Sequence, residues 1–235
     1  MGFPVNIHGE PLKTSRKIKA GQADWYIPEE VPIAFVYNRR NYAVMMGTPD
    51  NLADFALGFT LTEQIVRGIK EIRSLDIFLT DRGADLRFKI TDDALERLDV
   101  SLSRRNLIGS ASCGLCGLEN ADRLFKPLPR IEVKAPEIDE ALFAAAMIRL
   151  EKYQPLNTQT RSVHAAAWVT LDGTISHIRE DVGRHNALDK LLGALTADKT
   201  DVSNGAVLMS SRCSYEIVEK AARLGVRTIL SISGP

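Results

Sequence analysis

The 235-residue sequence predicts an α/β protein in two parts: an N-terminal α+β region of hairpins and a helix, residues 1–130, and a layered α/β domain, residues 131–235. Three observations carry this. Two stretches, Ile33 to Met46 and Leu75 to Ile90, alternate apolar and polar residues about a polar turn, the pattern of half-buried hairpins. From Val163 onward, strand-like and helix-like segments alternate, which implies a layered sheet with at least two parallel neighbours. The run Pro127-Leu128-Pro129 to Pro136 separates the two parts as a short strand or linker.

Residues 1 to 28 are polar and mixed in sign, and read as an extended arm or first edge strand. Ile33, Phe35 and Tyr37 alternate, Asn38 to Asn41 turns, and Tyr42 to Met46 returns. Thr48-Pro49-Asp50 has the form of a helix start, with a capping hydroxyl and a proline whose missing N–H costs nothing there. Leu52, Phe55, Ala56 and Phe59 then fall on one helical face. A second hairpin joins Leu75–Leu79 to Leu86–Ile90 through Asp81–Asp85, followed by a short helix from Asp92 to Leu98 and a connector from Ser101 to Ile108. Ile138 to Tyr153 is a core helix with Leu142, Ala145, Ala146 and Leu150 inward. The last third reads as strand Val163–Leu171, turn Asp172-Gly173, strand Ile175–Arg179, helix His185–Leu195, strand Ala206–Met209, helix Tyr215–Leu224 and strand Thr228–Ile232.

Composition narrows the function classes. Lysine plus arginine and aspartate plus glutamate both number 30, so nothing suggests broad nucleic-acid binding, although a local basic pocket for a phosphate-bearing ligand fits. No apolar run reaches the length of a membrane span and the first residues lack a secretory apolar core, so a cytoplasmic protein is expected. Three cysteines, an odd number, argue for thiols rather than a disulfide framework.

Two of the three cysteines lie in Gly109-Ser110-Ala111-Ser112-Cys113-Gly114-Leu115-Cys116-Gly117. A Cys-x-x-Cys pair can ligate a metal, cycle as a redox couple, or act as attacking and resolving thiols, and spacing alone does not choose among these. Small residues ahead of the pair and the apolar spacing of Leu118, Ala121 and Leu124 behind it put Cys113 at a helix start. Unpaired N–H groups there stabilise a thiolate, which makes Cys113 the better nucleophile and Cys116 the helper. The alternative is two small buried hydrophobes.

Two strand-to-helix turns in the last third are unusually polar: Glu180 to Asn186, with Gly183, Arg184 and His185, and Ser210 to Ser214, with Ser211, Arg212 and Cys213. Ligands of open α/β sheets settle beyond strand carboxyl ends, and an arginine among small donors suits a phosphate. The plainer alternative makes Asp181, Ser211 or Ser214 helix caps and leaves the arginines in solvent. His164, on an apolar strand beside three alanines, has room for a planar ligand, although a lone strand histidine is more often a satisfied structural group, and Cys213 reads as a packed thiol. A zinc deaminase would need His-x-Glu and Pro-Cys-x-x-Cys. Here Ser112 replaces the proline, the order is inverted and no Glu follows His164, and a four-ligand structural zinc site has no second ligand pair, so no metal is expected.

The Cys113–Cys116 motif, His164-Ala165-Ala166, Glu180-Asp181-Val182-Gly183-Arg184-His185-Asn186-Ala187-Leu188-Asp189-Lys190 and Ser211-Arg212-Cys213-Ser214-Tyr215-Glu216 with Lys220-Ala221-Ala222 together resemble the formate dehydrogenase accessory sulfurtransferase family (FdhD), over about residues 30 to 235. The resemblance implies a cytidine-deaminase-like layered mixed sheet in a cytoplasmic protein that forms a homodimer. It implies a sulfurtransferase that takes persulfide sulfur from a cysteine desulfurase on Cys113, with Cys116 assisting release. The sulfur passes to the molybdenum cofactor in its bis-molybdopterin guanine dinucleotide form, for a formate dehydrogenase apoenzyme. Gly183, Arg184, Asn186, Ser211, Arg212 and Ser214 would contact that cofactor, with His164 and His185 in the same pocket. The runner-up is a chaperone that presents the cofactor without moving sulfur; a dithiol oxidoreductase is third. The sequence departs from the family where Arg161-Ser162 replaces a glycine pair, and it stops at Ser233-Gly234-Pro235 where members continue, which implies a truncation or reduced cofactor contacts.

Overall fold

A computed structural model describes residues 1–107 and 135–233; Cys113, Cys116 and most of the expected linker lie outside the described residues. The N-terminal part is a five-stranded mixed sheet of order β1-β6-β7-β4-β5. Its strands are β1 (Val5–His8), β4 (Val31–Tyr37), β5 (Arg40–Gly47), β6 (Ile72–Thr80) and β7 (Gly83–Ile90). Both expected hairpins are present: β4 pairs antiparallel with β5, and β6 with β7. The first turns at Asn38 and Arg39, both at positive φ (46° and 69°), the backbone shape that matches strand twist in a tight hairpin.

β1 is the edge strand anticipated for the amino-terminal residues and lies parallel to β6. A second hairpin, β2 (Ser15–Ala20) with β3 (Ala23–Pro28), forms a separate two-stranded sheet. Its alternating Lys17, Lys19 and Asp24 gave no apolar face to signal it.

The helix after β5 begins later than Thr48-Pro49-Asp50 suggests. α1 is Leu52–Thr62, with Asn51 in the left-handed region as its N-cap and no side-chain cap. Thr48 is fully buried and engaged elsewhere, as described below. α1 is buried almost all round, because it packs on the sheet through Phe55 and Phe59 against Phe35 and meets a second helix on its other side. α2 runs Asp92–Leu107, so the connector expected from Ser101 continues the helix.

The C-terminal part is a four-stranded sheet of order β11-β10-β8-β9, comprising β8 (His164–Thr170), β9 (Ile175–Asp181), β10 (Gly205–Arg212) and β11 (Ile229–Ser233). β8 is antiparallel to both neighbours, and β10 and β11 are the parallel pair that the alternating pattern implied. Both faces are covered. Ala166 and Trp168 face helices α5 (Arg184–Ala197) and α6 (Tyr215–Arg223), whereas Ala167 and Val169 face α3 (Glu140–Arg149). A strand buried on both faces reads as a continuous apolar run, as His164-Ala-Ala-Ala-Trp-Val does.

α3 is shorter than expected, giving way to a 3-10 turn over Leu150–Tyr153, and its inward face is Phe143, Ala146 and Leu150, with Leu142 38% exposed. A short helix α4 (Pro155–Thr160), opened by its proline, precedes β8. No described helix is long and apolar enough to cross a membrane.

α1 and α5 cross at two glycines. A Cβ on Gly58 would lie 1.8 Å from the Asp189 carbonyl oxygen, and one on Gly193 would lie 1.9 Å from that of Asp54. Only hydrogen fits at either place. Elsewhere in a helix, glycine to alanine gains up to about 1 kcal/mol. Gly58→Ala should instead destabilise by about 3 kcal/mol or more, since backbone must move. Urea unfolding of the variant checks this, and a neutral or stabilising change would refute the crossing.

Candidate functional site at the sheet edge

β9 and β10 both run antiparallel to β8, so their carboxyl ends and the start of β8 share one edge. His164 sits across from Asp181 in the strand register, and the amide of Ala165 donates to Ser210 Oγ at 2.7 Å. The two polar turns therefore stand together, and Ser214 Oγ lies 3.4 Å from His185 Nε2 between them. Each turn leads into a helix whose N-cap, Gly183 for α5 and Ser214 for α6, makes no side-chain cap. First-turn N–H groups without caps are the donors that anions use.

Arg184 is the first residue of α5, and its Nε is buried with no hydrogen-bond partner among the described residues. A buried guanidinium nitrogen left unpaired is costly and marks a place where an acceptor would be stabilised. Burial pushes the His164 imidazole below its ordinary value, and the Arg184 charge adds to this while Asp181 opposes it. His185 is also pushed down, first by burial, with Arg184 and Lys220 contributing; Glu216, 2.8 Å from its Nε2, opposes them. Both rings are thus biased toward the neutral form, and fixed positive charge at the edge comes from the arginines.

The first turn is held from beneath by residues to which the sequence assigned no such role. Asp181 and Lys190 form an ion pair of 2.7 Å with both side chains fully buried. The Asp181 carboxylate also accepts from the amides of Thr48 (3.0 Å) and Gly183 (2.8 Å) and from Asn186 Nδ2 (2.9 Å). Lys190 donates to the carbonyls of Thr48 (2.9 Å) and Glu180 (3.3 Å), and the Thr48 hydroxyl accepts from the amide of Val182. Thr48 is therefore the floor of this turn rather than a helix cap. A lysine one turn beyond Asn186, between Leu188 and Leu191, was the available signal, since such a position is otherwise apolar.

The anticipated residues occupy distinct places. Gly183 lends its amide to Asp181, and Asn186, 3% exposed, commits its Nδ2 to Asp181 and the Met46 carbonyl. Ser211 is buried and its hydroxyl donates to the Arg212 carbonyl, while its own carbonyl accepts from Ser231; Arg212 itself is exposed. Cys213 is half-buried against the apolar cluster under α5 and α6, as expected of a packed thiol. The described residues thus bring His164, Arg184, His185, Arg212 and Ser214 to one edge; Cys113 and Cys116 lie outside them.

Three outcomes follow from this geometry. Lys190→Met leaves Asp181 buried without its counter-ion and should cost about 3–5 kcal/mol in denaturant unfolding. For His164, the folded ring takes a proton less readily than the unfolded one, so acid below about pH 6.5 favours unfolding and neutral pH does not. Arg184→Ala should raise the His164 titration midpoint part of the way back, as read by imidazole NMR. An unchanged midpoint would separate the two side chains.

Comparison with known proteins gives the family. Residues 28–235 match the family model described as the FdhD/NarQ family. The sulfur carrier protein FdhD of Cupriavidus necator is 43% identical over 209 residues, 89% of this chain and 72% of that protein. The protein of the same name from Xanthomonas euvesicatoria is 40% identical over 230 residues, 97% of this chain and 81% of that one. In fold, a crystal structure from Desulfotalea psychrophila, provisionally assigned as a formate dehydrogenase accessory protein, superposes with a TM-score of 0.64 at 24% identity, covering 94% of this chain and 83% of that one. With the motifs at the sheet edge and the match over nearly the whole length, the chain belongs to the FdhD/NarQ family.

Proposed function

We propose that this protein is a sulfur carrier that accepts persulfide sulfur on Cys113 and passes it to the molybdenum cofactor for a formate dehydrogenase. The observation that carries this reading is the pairing of a Cys-x-x-Cys motif with a cationic edge, in a chain whose relatives are named sulfur carrier proteins.

The loading step balances as an exchange. The Cys113 thiolate attacks the outer sulfur of a persulfide on a cysteine desulfurase; the old S–S bond breaks and the desulfurase cysteine leaves as thiolate. Cys113 then holds the sulfur as its own persulfide. If Cys116 attacks the Cys113 sulfur, hydrosulfide departs toward the acceptor and a Cys113–Cys116 disulfide remains, which a thiol reductant must reopen.

The acceptor substrate, a bis-molybdopterin guanine dinucleotide, is anionic through its phosphates. The edge suits it: Arg184 carries an unpaired buried Nε, and two uncapped helix N-termini flank His185 and Ser214. Arg184 and Arg212 would hold phosphate oxygens, and the near-neutral imidazoles of His164 and His185 would offer hydrogen bonds without added charge.

The test incubates the purified protein with a cysteine desulfurase and free cysteine, followed by mass spectrometry of the peptide carrying Cys113 and Cys116. One added sulfur on the wild type, absent from Cys113→Ala together with activation of a formate dehydrogenase apoenzyme, is expected. Activation that survives Cys113→Ala and Cys116→Ala replaces sulfur transfer with a cofactor-delivering chaperone.

A further inference from the structure

Alternation in the five-stranded sheet sends Ile33, Phe35, Leu75, Ile77 and Leu86 into the core, none more than 1% exposed. The residues between them face outward, in rows that cross the strands: Asp76 stands opposite Arg87, Arg87 opposite Val36, and Val36 opposite Asn41. Beside the β4–β5 turn this outer face holds a hollow of about 580 Å³, and along β5 it leaves Val44 63% and Met46 50% exposed.

The carboxylates of the hollow are already engaged. Asp85 pairs with Arg87 at 2.7 Å, and Asp76 accepts from Asn6 at 2.9 Å and meets His8 at 3.3 Å. Arg87 is also fixed against the Phe78 ring, 4.4 Å from its centre. Arg39 and Lys89 are exposed, and their side chains make no hydrogen bond or ion pair among the described residues. Three cations against two engaged carboxylates leave the hollow with a positive surplus.

The backbone of the turn singles out Arg39. Asn38 and Arg39 both have positive φ, 46° and 69°. Asn38 is fixed there by two side-chain bonds to the Ile90 backbone, at 2.8 and 3.2 Å. Arg39 stands where a tight hairpin favours glycine, and no side-chain bond among the described residues offsets that strain.

We propose that this face docks an acidic, apolar-bearing segment of the protein that supplies persulfide sulfur to Cys113. Carboxylates of the segment meet Arg39 and Lys89, and its apolar side chains cover Val36, Val44 and Met46. The assignment rests on the reading of the chain as a sulfur carrier. Position favours the donor over the recipient. Thr48, the floor of the first polar turn, follows the end of β5, and the hollow lies at the start of that eight-residue strand, about 25 Å away. A recipient must come to the cofactor at the edge, whereas a donor need only reach the thiol. Arg40, next in the hairpin, pairs with Asp99 of α2 at 2.5 Å, and the chain passes from α2 to the cysteine motif.

The test loads the whole protein in two ways, from a cysteine desulfurase with free cysteine and from glutathione persulfide, and follows sulfur on Cys113 by mass spectrometry over time. In both, the Cys113 thiolate takes the outer sulfur and the donor leaves as thiolate. Arg39→Glu combined with Lys89→Glu should slow loading from the desulfurase about tenfold or more and leave loading from glutathione persulfide unchanged. Raising KCl should slow the wild type toward the rate of this variant. Arg39→Gly suits the positive φ, so it should melt no lower than the wild type and still load about threefold more slowly from the desulfurase.

Unchanged loading from the desulfurase overturns the proposal, as does an equal loss from both donors. A variant that loads normally but sediments as a monomer where the wild type is a dimer makes the face an interface between copies instead. Loading from both donors with no effect of the variants leaves the carrier role standing and removes only the docking face. Loading from neither donor, even by the wild type, removes both.

Discussion

The carboxylate of Asp181, out of reach of water, is satisfied only when three separate pieces of chain are in place. Lys190 and Asn186 on α5, the Thr48 amide after β5, and the Gly183 amide in the turn before α5 all donate to it. Burying two charges costs several kcal/mol per ion after relaxation, and well-packed apolar residues often serve as well for stability. Stability is therefore a poor reason for the pair to exist. What the pair does is fix position: displacing the turn by a residue would leave a buried charge short of partners, so the backbone that presents Arg184 and His185 has one arrangement in which it is fully bonded.

α1 extends that constraint across the molecule. Gly58 and Gly193 let α1 and α5 approach until backbone meets backbone, which sets their spacing without any side chain as a spacer. Arg179 on β9 pairs with Asp54 in the first turn of α1 at 2.7 Å, and Lys220 on α6 reaches Thr62 and Asp189 near its last turn. Both ends of α1 are thus tied to the elements that form the site edge. A hairpin residue such as Met46, whose carbonyl accepts from Asn186, lies within the same bonded set. The N-terminal sheet is part of the site's support even though the arginines and histidines of the edge all lie in the last third of the chain.

The sequence disclosed what depends on local pattern. Alternation found the hairpins β4–β5 and β6–β7, and the strand–helix succession after Val163 found the second sheet and its parallel pair. It also brought the two polar turns to attention, because their glycine, arginine and serine content stands out from the apolar runs beside them. It misjudged features decided by distant partners. Thr48 before a proline has the local form of a cap, and nothing nearby reveals that, more than a hundred residues on, Asp181 accepts from its amide and the Val182 amide donates to its hydroxyl. Leu142 rather than Phe143 was placed inward on α3 because the two faces are almost equally apolar, and only the facing sheet decides between them. Lys190 was seen only as part of a motif, since a buried lysine is recognisable once its carboxylate and carbonyls are located.

The edge and the cleft beside it, between β5, the end of α1 and α6, make an electrically divided site. At the edge, the histidines lean toward neutrality and the guanidinium of Arg184 supplies charge beside helix N-termini. In the cleft, Lys220 is locked to its carboxylates and its ammonium is driven up by Asp189 and Glu63 against the cost of burial, so it neutralises them without presenting a free donor. Asp189, wholly buried, is pushed up by that burial and depends on Lys220 and Thr62 to remain ionised. His185 stands at the boundary, bonded to Glu216 on the cleft side and within reach of Ser214 on the edge side.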